Sequence, residues 1–134
     1  KVSDRALMRA FHFYDDDARV AEQVAALESD QFGRFLELVV ESGRSSWMQL
    51  QNCYSPRKPL EQGVALAQTL TADLLGKSGA WRVHGGGFAG TVQVFVPQEQ
   101  VTSYVEKMEA VFGQGACYPI SIRSAGAVKV DFGV

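Results

Sequence analysis

The sequence predicts one α+β domain over residues 1–134, in which a four-stranded antiparallel sheet carries helices on one face and further helices precede it. Three observations lead to this fold class. Apolar residues recur at helical spacing through the first half of the chain. Two runs of alternating apolar and polar residues then flank a glycine-rich stretch, and two more such runs follow a later helical pattern. The predicted order is therefore several helices followed by β-β-α-β-β.

The first predicted helix begins at Ser3, whose hydroxyl can cap it, and continues to about Glu28. Its apolar positions repeat at the spacing of one helix face: Val20, Val24 and Leu27. The acidic triplet at positions 15–17 is expected to interrupt this helix or to begin a second one. Three consecutive helical residues point in different directions, so the triplet does not predict a metal site.

A second helix is predicted from Asp30, as its cap, to Gly43, as its stop. Its apolar residues form one stripe: Phe32, Phe35, Leu36, Val39 and Val40. Residues 45–56 are then predicted to be a short helix or an irregular turn.

Two more helices are predicted from proline and glycine positions. Pro59 suits the first turn of a helix that runs to Leu75 and stops at Gly76. After the glycine-rich stretch, Pro97 is expected to begin a helix that Gly113 closes.

Residues 80–96 are predicted to form a β-hairpin whose tip is the glycine-rich stretch. Before the glycines, Trp81 and Val83 alternate with polar neighbours. After them, apolar residues occupy every second position: Val92, Val94 and Val96. Alternation with period 2 on both sides predicts the order strand, loop, strand.

The tip of the hairpin is a candidate phosphate site, and we call it the glycine loop. It consists of Gly85, Gly86, Gly87, Phe88, Ala89 and Gly90. Glycine adopts positive φ at little cost, and successive N–H groups in such a turn can form an anion-binding nest. The Phe88 ring is expected to anchor the tip in apolar surroundings. The alternative is a turn that serves only the fold. The spacing G-x-G-x-x-G does not indicate a dinucleotide site, because a strand follows where that site needs a helix.

Two further strands are predicted near the C-terminus. Their apolar residues alternate with other residues: Tyr118, Ile120 and Ile122, then Val128, Val130 and Phe132. A split β-α-β fold needs the order β-α-β-β-α-β, and the last strand can take the place of the missing first one. The sheet is therefore predicted to be a permuted ferredoxin-like layer.

Charge and composition narrow the functional classes. The net charge of -2 and the pI near 5.7 argue against a nucleic-acid partner. No apolar run approaches membrane-spanning length, so no membrane partner is expected. Cys53, Cys117, His12 and His84 lack the spacing of metal ligands, so no metal site is expected. A reduced cytoplasmic protein is expected, and a disulfide between the two cysteines stays open.

The glycine loop carries a family resemblance. The run GGGFAG between two strands, preceded by GAWRVH, resembles the third conserved motif of galactokinases, GGGFGG. Galactokinases belong to the GHMP group of small-molecule kinases. Weaker matches follow the family's order along nearly the whole chain: Arg5-Ala6, Arg19-Val20, Ala25-Ala26-Leu27, residues 38–42, Tyr54-Ser55-Pro56, Glu61, Gly113, Gly115 and Ile122-Arg123. The chain resembles the C-terminal part of such an enzyme.

The resemblance implies a GHMP kinase C-terminal domain, as a fragment of an enzyme that transfers the γ-phosphoryl group of ATP, with Mg²⁺, to the 1-hydroxyl of galactose. The family's catalytic aspartate and arginine, its sugar-binding signature and its Ser-rich phosphate loop belong to its N-terminal half. No catalytic residue is therefore expected in this chain, and the isolated chain is predicted to be inactive. The resemblance also implies that the glycine loop closes over phosphates held by the N-terminal domain, which would be the chain's partner. Arg82 and His84 flank the loop and could add positive charge, although strand residues in such positions more often lie behind a site or on the surface.

Departures from the family's pattern keep other functions open. His84, Ala89 and Thr91 differ from the residues common in galactokinases, and the Cβ of Ala89 limits how closely a ligand can approach. One alternative is a galactokinase-like sensor that binds sugar and ATP without turnover. Others are a related GHMP small-molecule kinase and an independent ferredoxin-like interaction module, in which the glycine loop is only a turn.

Overall fold

The protein is described here from a computed structural model, which covers residues 2–88 and 90–130. Its class is α+β, as the sequence predicts. The four α-helices and two strands are α1 (Asp4–Glu28), α2 (Phe32–Ser45), α3 (Gly63–Leu75), β1 (Ala80–Val83), β2 (Val92–Phe95) and α4 (Val101–Phe112). One π-helical turn (Ser46–Leu50) extends α2, and one 3-10 turn (Gln98–Gln100) precedes α4.

Helix α1 begins where the sequence predicts and is not interrupted. The Ser3 hydroxyl accepts a hydrogen bond from the Ala6 N–H at 3.3 Å, which confirms the cap. The expected break at the acidic triplet is wrong. Asp16 pairs with Arg19 one turn later at 2.6 Å, and the carboxylates of Asp15 and Asp17 face solvent. Asp16 thus has its partner within the helix and the other two carboxylates are solvated, so the triplet can remain helical.

Helix α2 differs from the prediction at both ends. Asp30 adopts a left-handed φ of 55°, so Gln31 occupies the cap position and the helix starts at Phe32. Gly43 does not stop the helix, which continues to Ser45 and into the π-helical turn. A Cβ on Gly43 would come within 2.6 Å of the Trp81 carbonyl oxygen, so this glycine permits close packing on β1.

The later helices confirm their predicted ends but not all their starts. Gly76 and Gly113, with φ of 52° and 97°, terminate α3 and α4. Pro97 leads through the 3-10 turn into α4, as expected. The prediction for Pro59 is wrong, because α3 begins only at Gly63. Pro59 lies in an irregular turn, and its carbonyl accepts a hydrogen bond from the Gln62 side chain.

The predicted hairpin is confirmed. β1 and β2 pair antiparallel, with Ala80 opposite Phe95 and Val83 opposite Val92. The hydrogen bond from His84 N–H to Thr91 O, 3.0 Å long, continues the pairing to the loop. In the described residues the sheet consists of these two strands. The third and fourth strands stay predictions, and Phe132 lies outside the described residues.

Helices cover both faces of the hairpin. On one face the Phe95 ring meets Phe35 of α2, edge to face, with 5.5 Å between centroids. On the other face, Val83 and Val92 pack on residues before and within α3, and Val94 packs where α3 and α4 meet. α3 and α4 thus lie on one face of the hairpin, and α2 lies on the opposite one.

Candidate functional site

The glycine loop is a turn with mostly left-handed backbone. The positive φ angles are 62° at Gly85, 74° at Gly87, 58° at Phe88 and 85° at Gly90. Gly86 lies outside that region. Left-handed residues thus stand on both sides of Gly86, and glycine-rich turns of this kind can direct consecutive N–H groups towards one concavity. Ala89 lies outside the described residues.

Asn52 holds the loop from beneath through two hydrogen bonds. Its carbonyl oxygen accepts from the Phe88 N–H at 3.1 Å, and its Nδ2 donates to the Gly86 carbonyl at 3.2 Å. The residue is only 1% exposed. It follows directly on the π-helical turn and Gln51, whose left-handed φ of 57° ends that turn. Sequence reasoning missed Asn52, because a single asparagine in an irregular segment carries no periodic signal.

Two adjacent glycines of the loop have different surroundings. A Cβ on Gly87 would collide with the backbone oxygen of Asn52 and approach its Nδ2 to 2.6 Å. A Cβ on Gly86 would meet nothing within 4 Å. Gly87 therefore faces the protein, and Gly86 leaves open space towards the outside. Gly87 must therefore be a glycine because Asn52 leaves no room for a side chain there.

The Phe88 side chain does not anchor the loop, so that expectation is wrong for this chain. Phe88 is 55% exposed. Its backbone, rather than its ring, provides the attachment, because its N–H donates to Asn52. A left-handed φ at a bulky residue is uncommon and marks a backbone that its surroundings hold in place.

Arg82 and His84, which were expected to add positive charge to the loop, have different surroundings. The Arg82 guanidinium turns away from the loop tip towards α1, where it lies 3.7 Å from an Asp16 carboxylate oxygen. Its Nε also donates to the Val83 carbonyl at 3.3 Å. The His84 side chain is exposed beside the loop, and its backbone closes the hairpin. Of the two, His84 alone adjoins the loop from the exposed side.

A buried polar cluster joins α1 to the end of α2, and the sequence analysis did not identify it. The Ser45 hydroxyl donates to Gln49 Oε1 at 2.6 Å, so it accepts from His12 Nδ1 at 2.8 Å. The other ring nitrogen of His12 lies 3.9 Å from Asp16. Serine, histidine and aspartate also form catalytic triads, but here the serine proton is already donated and the histidine is buried. The cluster therefore attaches one helix to another.

Burial and charge shift the pKa values within this cluster. Burial lowers the pKa of His12 below its ordinary value, with Arg19 and Arg82 acting in the same direction and Asp16 opposing them. Burial by itself would raise the pKa of Asp16. The approach of the Ser42 hydroxyl and the hydrogen bond from Arg19 outweigh it, so the pKa of Asp16 lies below its ordinary value. At neutral pH the cluster thus contains a neutral imidazole and an ionised carboxylate.

Two cavities lie away from the glycine loop. One of about 260 Å³ lies between α3 and the start of α4, and Tyr104 and Lys107 are among its lining residues. The other, of about 210 Å³, is a shallow depression on α1 beside His12 and Asp16. Neither is lined by a residue of the loop.

Comparison with known proteins gives no family assignment. No family model matches the sequence, and no solved structure matches it at a significant level. Across residues 2–88 and 90–130, no three histidine, cysteine, aspartate or glutamate side chains are grouped to hold a metal ion. None of the helices in the described ranges is both long and apolar enough to cross a bilayer.

Proposed function

We propose that this chain is the C-terminal domain of a galactokinase, in which the glycine loop approaches the phosphates of ATP. The observation that carries the proposal is the exposed loop with left-handed backbone at Gly85, Gly87 and Gly90. It stands at the tip of a hairpin, where the galactokinase-like motif GGGFAG occurs. A turn that only reversed the chain would not need so many left-handed residues, since two suffice in a tight hairpin.

The proposed chemical role is positioning and charge stabilisation. Phosphoryl transfer depends mainly on these two effects, and backbone N–H groups provide both without supplying a base. Within the described residues, the N–H groups of Gly85, Gly86 and Gly87 donate to no other backbone group. This supports the proposal that they donate to phosphate oxygens. The sugar, the Mg²⁺ that accompanies ATP and the catalytic side chains would be held by the N-terminal domain of the parent protein.

The exposed side chains of α1 support the proposal that another domain packs on this chain. Four large apolar side chains on the first half of this helix are half or more exposed: Leu7, Phe11, Phe13 and Tyr14. A cluster of this size on one exposed helix is typical of a surface that another domain covers. We propose that the N-terminal domain of the same protein packs here. The proposed enzyme would be cytoplasmic, in agreement with its free thiols, Cys53 and Cys117.

The finer fold prediction also stays a proposal. Tyr118, Ile120 and Ile122 are 82%, 84% and 85% exposed, although their alternation is typical of a strand with one buried face. Val128 and Val130 are exposed in the same way. We propose that these two segments form the third and fourth strands of a ferredoxin-like sheet in the complete protein. Burial of five apolar side chains would favour that pairing.

The deciding experiment measures galactose 1-phosphate formation by the full-length parent protein with Mg-ATP and galactose. We expect turnover by the parent and none by the isolated 134-residue chain. The variant Gly86→Ala then tests the loop itself, because its methyl group would extend into the open space where phosphate oxygens are proposed to lie. Its melting temperature should equal that of the parent, and its kcat/KM for ATP should fall at least tenfold.

Other outcomes would replace the proposal. Binding of galactose and ATP by the parent without turnover would establish the sensor instead. Phosphorylation of a different small molecule would establish a related GHMP kinase. If the parent binds neither ligand, the glycine loop is only a turn and the chain is an interaction module. Turnover by the isolated chain would show that the catalytic residues lie within it.

A further inference from the structure

We propose that Asn52 is a positioning residue, which sets the direction of the Gly87 N–H towards the ligand. The proposal rests on the function proposed above, since it concerns the same loop and the same phosphate ligand. Its starting point is that Asn52 bonds to the loop on both sides of Gly87, through the carbonyl of Gly86 and the N–H of Phe88. A Cβ on Gly87 would also collide with the same residue.

Because the peptide group is planar, these two hydrogen bonds fix the direction of the Gly87 N–H and of the Gly87 carbonyl. In a trans peptide the carbonyl of one residue and the N–H of the next point in opposite directions, and the described residues contain no cis peptide. Asn52 Nδ2 draws the Gly86 carbonyl inwards, so the Gly87 N–H points outwards. The Phe88 N–H is also drawn inwards, so the Gly87 carbonyl faces outwards as well. The loop thereby presents one donor and one acceptor from Gly87.

A donor beside an acceptor suits the chemistry of a phosphoryl-transfer site. The Gly87 N–H can donate to an anionic phosphate oxygen, which is a charge-assisted hydrogen bond. The Gly87 carbonyl can accept from a hydroxyl group or a metal-bound water. The Phe88 N–H, by contrast, is used by Asn52 and is not available to the ligand.

Two buried side chains lie behind the Asn52 amide. Gln68 on α3 donates through Nε2 to the Cys53 sulfur at 3.2 Å. The Cys53 sulfur lies 4.0 Å from Asn52 Oδ1, a long contact, on the side of the amide opposite to the Nδ2 that donates to Gly86. Gln68 and Cys53 are both buried. Burial also raises the pKa of Cys53, which keeps the sulfur protonated and able to donate.

The test compares two variants at one position. Asn52→Ala removes the side-chain donor but keeps the backbone bond to Phe88. Asn52→Asp keeps the shape and replaces the Nδ2 donor by an acceptor, which repels the Gly86 carbonyl. We expect both variants, in the full-length parent, to lower kcat/KM for Mg-ATP at least tenfold while KM for galactose changes less than twofold. A matched control is Met108→Ala, a buried residue of α4 in a different cluster, which lowers stability without touching the loop.

A second readout separates failure of this proposal from failure of the proposed function. The amide chemical shift of Gly87, measured by NMR on the 134-residue chain, needs no ligand and no turnover. We expect the Gly87 N–H to keep its chemical shift in Met108→Ala and to change it in both Asn52 variants. If the Asn52 variants resemble Met108→Ala in both NMR and kinetics, Asn52 is not a positioning residue. If the parent lacks kinase activity but NMR shows the expected change, the galactokinase function fails and the positioning of Gly87 stands.

Discussion

The Trp81 carbonyl oxygen lies directly against the Cα of Gly43, so that α2 touches the backbone of β1 without an intervening side chain. A Cβ on Gly43 would lie 2.6 Å from that oxygen and 3.1 Å from the Trp81 ring. In this register His84 and Thr91 form a hydrogen-bonded pair, and such pairs recur at every second residue of the ladder. Trp81 lies between two of them, so its carbonyl points away from β2, to the outer edge of β1. α2 therefore covers that edge at this point, which is one of the ways in which proteins protect a strand from pairing with another chain.

Gly43→Ala should destabilise the protein by about 1–3 kcal/mol, because the new methyl group must push α2 away from β1. The better helix propensity of alanine offsets this by at most about 1 kcal/mol. The melting temperature of the 134-residue chain measures the loss. Gly33→Ala is the matched control, because Gly33 also lies in α2 and a Cβ there would meet nothing within 4 Å. An equal effect of the two substitutions would contradict the proposed packing.

Gly87→Ala should lower the stability of the isolated chain by about 1–3 kcal/mol, since alanine opposes the φ of 74° and its Cβ collides with Asn52. Gly86→Ala should change it by less than about 0.5 kcal/mol, because its Cβ would lie in open space. Denaturant midpoints measured side by side decide the matter. If Gly86→Ala were the more damaging of the two, the loop would have the opposite orientation.

Acid should destabilise the chain in two steps that belong to two residues. The pKa of His12 is lowered by folding, so the unfolded chain takes up that proton first, and stability falls as the pH drops below about 6.5. The pKa of Asp16 is also lowered, so its contribution is present above about pH 4 and is lost as the pH falls through the folded pKa. His12→Gln should remove most of the change in melting temperature between about pH 7 and 5. An unchanged pH profile in that variant would assign the first step to another group.

The two cysteines should react with a thiol reagent at different rates. Burial raises the pKa of both, but Cys53 is buried under the glycine loop, whereas Cys117 is partly exposed. Mass spectrometry of the native chain should find Cys117 labelled first and Cys53 labelled only after urea is added. Cys117→Ser should leave the native chain unlabelled over the same period. Fast labelling of Cys53 in that variant would mean that the region beneath the loop opens readily.

The parts of the fold that the sequence predicts correctly are those with local causes. Ser3 caps α1 through its own hydroxyl, and Gly76 and Gly113 end their helices through their own φ angles. The hairpin follows from alternation within a few residues on either side of the glycines. Each signal and the structure it specifies lie within one or two turns of chain, so no knowledge of the rest of the fold is needed.

The parts that could not be predicted depend on partners distant in sequence. Gly43 carries the local signal of a helix stop, but its contact with Trp81 decides its role. Arg82 adjoins the glycine loop in sequence, yet its charge is directed to Asp16 on α1. Asn52 has no signal of its own, and its importance comes from the Gly86 carbonyl 34 residues away in the chain. In the candidate site, then, the loop was predictable and the residue that holds it was not.

Because of the π-helical turn at Ser46–Leu50, the position of Asn52 depends on the number of residues in this segment. Gln51 N–H donates to Ser46 O at 2.7 Å, five residues back, so the turn contains one residue more than an α-helical turn. Loss of one residue here would shorten the path from α2 to Asn52, whose position against the glycine loop follows the left-handed φ of Gln51. Asn52 would then swing away from Gly86. Relatives of this chain that lack one residue in the turn should therefore also have another residue in place of Asn52.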